Sequence, residues 1–334
     1  MLELSVVIPT YNRLSRLEQV LTSLEKQTYP IDNWQVLVVS DGSTDGTNEY
    51  LHALDKPYDL HYIFQPNQGV AAARNNGIAH SEGRIILFID DDVVPSPQLL
   101  AEHMRYHEHF GGNAVVIGPM LNPLDYKMSP WVRWEQDRLA RQYHEMNTRR
   151  WEPTARQFYT GNTSLARIHL VESGGFDTQF KRAEDVELAY RLSAQGVRFL
   201  FNPQAIGHHY AARNFQSWLA TAYAYGRNDV VFACQKGQDW LLGTIFEEFY
   251  TRHPLIRGLI KVCLDRPFWS SVTELTLTEI VKAGTRWDLS KLSNLACSGL
   301  FNLRYYQGVA DGLSGREIFI AGTLRGATTY GTIN

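Results

Sequence analysis

With 334 residues the chain can bury a sizeable core, as one large domain or two smaller ones, and 32 basic against 35 acidic residues leave a formal net charge of -3. That balance argues against a nucleic-acid partner, because binding a phosphate backbone normally shows as a strong basic excess. Three well-separated cysteines, Cys234, Cys263 and Cys297, point to a reducing cytosol and away from a zinc site; no apolar run of about 18 residues is there to span a membrane, and no cleavable signal is expected ahead of residue 4.

Residues 4–8, Leu-Ser-Val-Val-Ile, predict a first strand, turned at its end by Pro9, Thr10, Tyr11 and Asn12. Leu14, Leu17, Val20, Leu21 and Leu24 follow at helical spacing, which completes a βα unit. A second strand over residues 36–39 runs into Ser40-Asp41-Gly42-Ser43-Thr44-Asp45-Gly46-Thr47, where glycines permit a tight turn and Asp45 reads as a cap for a helix over residues 49–54. Capping explains Asp41 poorly. An acidic side chain at a strand's carboxyl end commonly grips ribose hydroxyls, and Asp41 is the candidate for that role. After a short strand at residues 62–64, a slim helix with Ala71, Ala72 and Ala73 carries Arg74. This strong cation near the strand ends either grips a diphosphate or holds neighbouring carboxylates.

Ile85-Ile86-Leu87-Phe88-Ile89 is the pattern of a strand buried on both faces, as in a parallel sheet covered by helices, and it runs straight into Asp90, Asp91 and Asp92. In open α/β sheets the ligand crevice lies outside the carboxyl ends of the strands. If strand geometry continues, Asp90 and Asp92 share one side while Asp91 faces the other. Carboxylates held that close invite a cation, and a hard ion such as Mg2+ or Mn2+ completed by substrate phosphates fits best.

Residues 118–159 are rich in aromatics and arginines, but Trp131, Trp134, Arg138 and Leu139 sit at helical spacing and read chiefly as packing. Residues 158–166 predict a strand interrupted by Gly161. Glu184 and Asp185 open an amphipathic helix with Val186, Leu188, Ala189 and Leu192, and a carboxylate placed there is expected to have a low pKa. Val197, Phe199 and Phe201 alternate as a strand, and the adjacent His208 and His209 after it are ligand candidates beside a metal. Beyond residue 212 the chain reads as helical. Its stretch 255–264 mixes apolar residues with Arg257 and Lys261, open to packing, to dimerisation or to a membrane surface with Arg266, Phe268 and Trp269 at the interface; the first two are favoured.

Four ordered blocks, residues 6–13, 40–47, 69–78 and 90–92, resemble those of family 2 glycosyltransferases over roughly the first 210 residues. The resemblance implies an α/β fold of the GT-A type: a Rossmann-like, mostly parallel sheet flanked by helices, with a helical C-terminal region. The expected division is a catalytic domain over 1–212, with a nucleotide-sugar half 1–117 and an acceptor half 118–212, followed by 213–334. The implied activity is inverting transfer of a sugar from a nucleoside diphosphate sugar, UDP-sugar favoured, to a hydroxyl of a saccharide or lipid-linked saccharide, with Mn2+ or Mg2+, in polysaccharide or glycoconjugate synthesis. On this resemblance Pro9, Thr10, Tyr11, Asn12, Arg13, Asp41, Arg74, Asp90 and Asp91 face the donor, the last with its role open, and Gly161 and Asn162 line the site. Asp92 and Asp90 hold the metal, with His208 preferred over His209 as a further ligand. The Glu184-Asp185 pair resembles the motif carrying the base, which by position is Asp185, with Glu184 as acceptor contact or orienting group. A cytoplasmic chain is expected, peripheral to the membrane's inner face at most, open to forming a homodimer. Two rivals stand beside this reading. A sugar nucleotidyltransferase lacks support because no Gly-rich, Lys-bearing loop follows the first strand; a silent saccharide-binding scaffold is opposed by the intact Glu184-Asp185 pair.

Overall fold

The computed structural model describes residues 2–124 and 126–330. Strands β1 (Leu4–Thr10) and β2 (Trp34–Asp41) are buried along their whole length, with apolar centres at residues 6–8 and 36–39 as expected when helices cover both faces of a sheet, and with the buried polar residues Ser5, Thr10, Gln35, Ser40 and Asp41 toward their ends. Between them α1 (Leu14–Leu24) turns Leu17, Val20, Leu21 and Leu24 inward. Asp45 caps two helices at once. Its carboxylate accepts from the Leu14 amide at the start of α1 and from Thr47 at the start of α2 (Thr47–Ala53). The chain continues through β3 (Asp59–Gln65), α3 (Val70–His80) and β4 (Ile85–Ile89), then β5 (Val93–Pro95), α4 (Leu99–Phe110), β6 (Ala114–Ile117) and β7 (Met120–Leu121). After α5 (Pro130–Asn147) come β8 (Asn162–Ala166), α6 (Arg167–Glu172), α7 (Glu184–Ala194), β9 (Arg198–Phe201) and β10 (Gly207–His209).

Seven strands form one sheet in the order β3-β2-β1-β4-β8-β6-β9. Every pairing is parallel except those of β8, which runs against both β4 and β6. The chain steps outward from β1 to β3 and returns to place β4 on the other side of β1. Such a reversal opens a crevice at the carboxyl ends of the strands, where Thr10, Asp41 and Asp90 emerge. A small second sheet, β5-β10-β7, brings the two histidines near that edge.

The chain divides into two compact units, Met1–Lys127 with Gln136–Ala211, and Met128–Glu135 with Ala212–Asn334, so the boundary falls inside α5. The second unit is helical: α8 (Phe215–Gln235), α9 (Trp240–Thr251), α10 (Pro254–Cys263), α11 (Pro267–Arg286), α12 (Ser290–Gly312) and α13 (Arg316–Tyr330). Trp134 is buried there against Trp218 and Phe301, so it packs a core, as its helical spacing foretold. Helices α8 and α12 touch backbone to backbone. A Cβ on Gly226 would stand 1.9 Å from the Tyr305 carbonyl oxygen, and one on Gly308 would stand 2.1 Å from that of Tyr223. Gly308→Ala is therefore expected to force the helices apart, costing about 1–3 kcal/mol or more in chemical denaturation; an unchanged midpoint would rule out this close crossing. Among the described residues, no helix is long and apolar enough to cross a membrane.

A buried polar cluster ties α4 to β8 in the first unit. His103 Nδ1 and His107 Nε2 each lie 2.8 Å from Ser164 Oγ, and His103 Nε2 lies 2.9 Å from Asn162 Oδ1. Burial pushes His103 down to about 4 and His107 to about 3. Because both values lie below the unfolded value of about 6.5, the unfolded chain takes up protons first, and stability falls as pH drops from about 6.5 toward those values. His107→Phe is expected to show a shallower loss of melting temperature between about pH 7 and pH 5 than the unmodified chain. Parallel declines would clear the imidazole of that role.

Candidate active site

The strand reading of the aspartate run fails at one point. β4 ends at Ile89, and the chain turns, with the Val93 amide donating to the Asp90 carbonyl at 3.0 Å. Side chains in a turn do not alternate, so Asp90 and Asp92 do not converge. Instead Asp91 and Asp92 share the guanidinium of Arg13: Nη1 lies 3.2 Å from Asp91 Oδ1 and also bonds Asp92 Oδ2. Thr10 Oγ1 donates to Asp91 Oδ2 at 2.8 Å across the β1–β4 crevice. Burial lifts Asp91 to about 7 despite the Arg13 charge. Asp92 is equally buried, yet the His209 hydrogen bond and the charges of His209 and Arg13 hold it at about 2.

His209 Nε2 lies 3.4 Å from Asp92 Oδ1, and its Nδ1 lies 3.1 Å from the Gln136 amide nitrogen, which orients the ring. Neighbouring residues of a strand face opposite ways, so β10 can aim only one of its two histidines at Asp92. Of the preferred His208 and its alternative His209, it is His209 that is turned to Asp92. Asp90 has Oδ1 turned to Arg74. Among the described residues no group of three His, Cys, Asp or Glu side chains forms a ready-made metal cage. An ion of the Mg2+ or Mn2+ type does not need one, because it keeps waters and substrate phosphates as ligands. The oxygen–nitrogen pair of Asp92 and His209 fits that mode.

Arg74 is found paired with carboxylates, the second of the two roles considered for it. It is 3 % exposed, with Nη2 2.9 Å from Asp90 Oδ1 and Nη1 2.7 Å from Glu184 Oε1. The guanidinium also lies over the Phe176 ring, 5.5 Å from its centre. It therefore holds carboxylates, joining the strand-end acid to the start of α7. The next residue, Asn75, fixes the loop ahead of α7 by a two-way bond: its Nδ2 donates to the Phe176 carbonyl and its Oδ1 accepts from the Phe176 amide, both at 2.8 Å. A Cβ on Gly175 would meet Asn75 Oδ1 at 2.5 Å.

Helix α7 starts from Ala183 in the left-handed region, at φ 59°, a conformation that costs a residue with a Cβ about 1–3 kcal/mol and persists only where the surroundings impose it. It presents Glu184 and the half-buried Asp185 together. The expectation of a low pKa for Asp185 is overturned. Burial and the adjacent Glu184 charge drive it well above the ordinary carboxylate range, and outweigh both Arg74 and the Val186 amide that donates to Oδ1 at 2.8 Å.

The remaining expected residues fall in two groups. Pro9 and Thr10 end β1; Tyr11 is 50 % exposed at the rim; and Asn12, at φ 52°, accepts from the Thr44 amide, locking two strand-end loops together. Asp41 is buried and already accepts three bonds, from Gln65 Nε2, the Gln68 amide and the Gly69 amide, each at 2.8 Å. About one acceptor position of its carboxylate is left for a ligand. Gly161 precedes β8 in a turn, where a Cβ would come 3.0 Å from Asp90 Oδ2, so the chain passes directly against that acid. Asn162 is a correction. It is fully buried, with Nδ2 donating to the carbonyls of Pro119 and Ala205 and Oδ1 turned to His103, so it braces the core and lines no opening. Gln136, Asn75 and Phe176 are not singled out in the sequence, although Asn75 lies in the block 69–78, because each acts through a partner distant in the chain.

Residues 5–173, half of the chain, match the family described as Glycosyl transferase family 2. Glycosyltransferase AglE of Haloferax volcanii is 41% identical over 249 residues, spanning 72% of this chain and 75% of that protein. Validoxylamine A glucosyltransferase of Streptomyces hygroscopicus subsp. jinggangensis is 31% identical over 229 residues, 61% of this chain and 54% of that protein. The chain thus spans about half the length of that relative. Among solved structures, S. aureus TarS 1-349 in complex with UDP-GlcNAc superimposes with a TM-score of 0.57 at 17% identity, covering 89% of this chain and 91% of that one. Mannosyltransferase PcManGT from Pyrobaculum calidifontis, in complex with GDP-Man and Mn2+, gives 0.54 at 23% identity, covering 68% and 62%. At such identities the likeness is one of fold.

Proposed function

The chain belongs to glycosyl transferase family 2, and from that premise we propose that it moves one sugar, with inversion, from a nucleoside diphosphate sugar to a hydroxyl of a saccharide or lipid-linked saccharide. The observation that carries this reading is Arg74, bonded at once to Asp90 and Glu184, because it brings the strand-end acids and the α7 acids into a single site. The donor belongs to residues 1–117, beside Thr10, Tyr11 and Arg13, and the acceptor to residues 118–212.

Asp185 takes the proton from the acceptor hydroxyl. Its raised pKa suits a base working near neutrality, where half-ready proton uptake and a useful driving force coincide. Glu184, held by Arg74, orients the acceptor beside it. Arg13 places positive charge next to Asp91 and Asp92, where a diphosphate would collect negative charge on leaving. A divalent ion held by Asp92 and His209 would supply further charge neutralisation there. No second protein acid is needed for a diphosphate leaving group, unlike in glycoside hydrolysis.

TarS is seen with UDP-GlcNAc and PcManGT with GDP-Man and Mn2+, which puts UDP- and GDP-sugars first among donors to try, with UDP-sugars favoured. The test is a thermal-shift screen of UDP, GDP, dTDP and CMP, with and without Mn2+, on the unmodified chain and on Asp92→Ala. At 100 times its dissociation constant a ligand should stabilise the fold by about 2.7 kcal/mol. The expected result is stabilisation by one diphosphate that needs the metal and is lost in Asp92→Ala. Silence from all four would overturn the donor site, and a product that retains the anomeric configuration would overturn inversion.

A further inference from the structure

Asp41 stands at the end of a polar relay that the chemistry at Arg74 and Asp185 does not use. Its carboxylate Oδ1 accepts from both Gln65 Nε2 and the Gln68 amide, whereas Oδ2 accepts from the Gly69 amide alone. Behind Gln65 is Asn76 of α3, half-buried, whose Nδ2 donates to Gln65 Oε1 at 2.8 Å. The direction of every bond in this relay is forced. A carboxylate only accepts, so Gln65 has to face it with nitrogen; its oxygen is then left for Asn76, which has to donate.

The relay ends in one open position. With two bonds on Oδ1 and one on Oδ2, the acceptor capacity that remains is on Oδ2. Gly69, whose amide serves that oxygen, is exposed, and a Cβ there would meet nothing within 4 Å. The rest of the loop is pinned. Asn67 Nδ2 donates to the Asp41 carbonyl at 2.9 Å, and a Cβ on Gly42 would come 2.8 Å from the Asn67 amide nitrogen. The three donors on the carboxylate are neutral N–H groups, so no cation among them cancels its charge, which remains to strengthen a bond from a ligand. In the sheet, β1 separates β2 from β4, which suits a ligand whose nucleoside and diphosphate sit at different ends of the crevice. Resting on the reading of this crevice as a nucleotide-sugar site, we propose that Gln65, turned by Asn76, is a positioning residue for the nucleoside: it holds Asp41 so that Oδ2 accepts an N–H or O–H from the base or the ribose.

The test is titration calorimetry of the full chain with Mn2+ and UDP or GDP, on variants for which shape and bond direction give opposite orders. Asn76→Asp hardly changes shape but replaces the donor by an acceptor, so the Gln65 amide turns and sets its oxygen against Asp41. Asn76→Ala removes more of the side chain, yet Gln65 keeps its bond to Asp41 and water can replace the lost amide. Nucleotide affinity should fall by about tenfold to a hundredfold in Asn76→Asp and in Gln65→Leu, and by about threefold at most in Asn76→Ala. Affinity for Mn2+ with inorganic pyrophosphate, which has no nucleoside, should hold in all three. The 2′,3′-dideoxy form of the bound nucleotide separates the two sources of the donated hydrogen: affinity falls if Asp41 meets the ribose and holds if it meets the base. An equal fall for pyrophosphate, or a greater loss in Asn76→Ala than in Asn76→Asp, would overturn the relay while the unmodified chain still binds its nucleotide. Silence of the unmodified chain toward both nucleotides would overturn the donor site itself, and this inference with it.

Discussion

Asp185→Asn is expected to lower kcat by about 10²–10⁴-fold, the range for losing a positioned general base, and at the same time to raise the melting temperature at neutral pH. Both effects come from one cause. Burial and the Glu184 charge make the ionised form of Asp185 costly in the folded chain. Its folded pKa lies above the unfolded one, so its contribution to stability is most favourable at acid pH and is lost as pH climbs from about 4 through the raised value. A neutral amide removes that loss, and its Oδ1 can keep the bond from the Val186 amide. For the same reason the acid limb of the pH–rate profile should lie well above the ordinary carboxylate range, with activity rising as Asp185 loses its proton. Kinetics across pH and thermal melts on the variant check both. Retained kcat would take the base role from Asp185, and a lower melting temperature would contradict the electrostatic cause.

Arg74→Met should be the most damaging single change to the site's framework. Removing one partner of a buried ion network costs about 3–5 kcal/mol, because the carboxylates left behind have no counter-charge. Here these are Glu184, which is buried, and the partly exposed Asp90. Arg74 also pulls the Asp185 pKa down, so its loss should shift the acid limb of the rate profile to higher pH in whatever activity remains. Arg74→Lys keeps the charge but not the fork, and one ammonium cannot reach both acids as two guanidinium nitrogens do. It should therefore fall between the two. Adding Glu184→Gln to Arg74→Met should recover part of the lost stability, a coupling that denaturant unfolding of the four forms would measure. Equal stability of Arg74→Met and the unmodified chain would show that the network carries no weight.

Local pattern was enough to show the sheet-and-helix frame and the edge on which chemistry gathers. β1, β2 and β4 are legible because strands buried on both faces carry continuous apolar stretches, here residues 6–8, 36–39 and 85–89, and α1 is legible because a half-buried helix must repeat its apolar residues every three or four positions. The acids were legible as a group too, since Asp90, Asp91 and Asp92 abut the most apolar strand of the chain. What each acid does was not. Asp90 and Asp92 part company because strand geometry stops at Ile89, and a strand's end is decided by the register of β4 against β8, not by its own residues. The choice between His208 and His209 waits on how β10 pairs with β5 and β7. Asn162 looks like any polar residue after a glycine until Pro119, Ala205 and His103 close around it. The ionisation of Asp185 depends on Glu184 beside it and on Arg74, which meets Glu184 from 110 positions away. Hydrophobic periodicity is a property of neighbours along the chain, and so it can be read there. Electric fields, hydrogen-bond saturation and side-chain direction belong to neighbours in space, and only the folded chain brings those together.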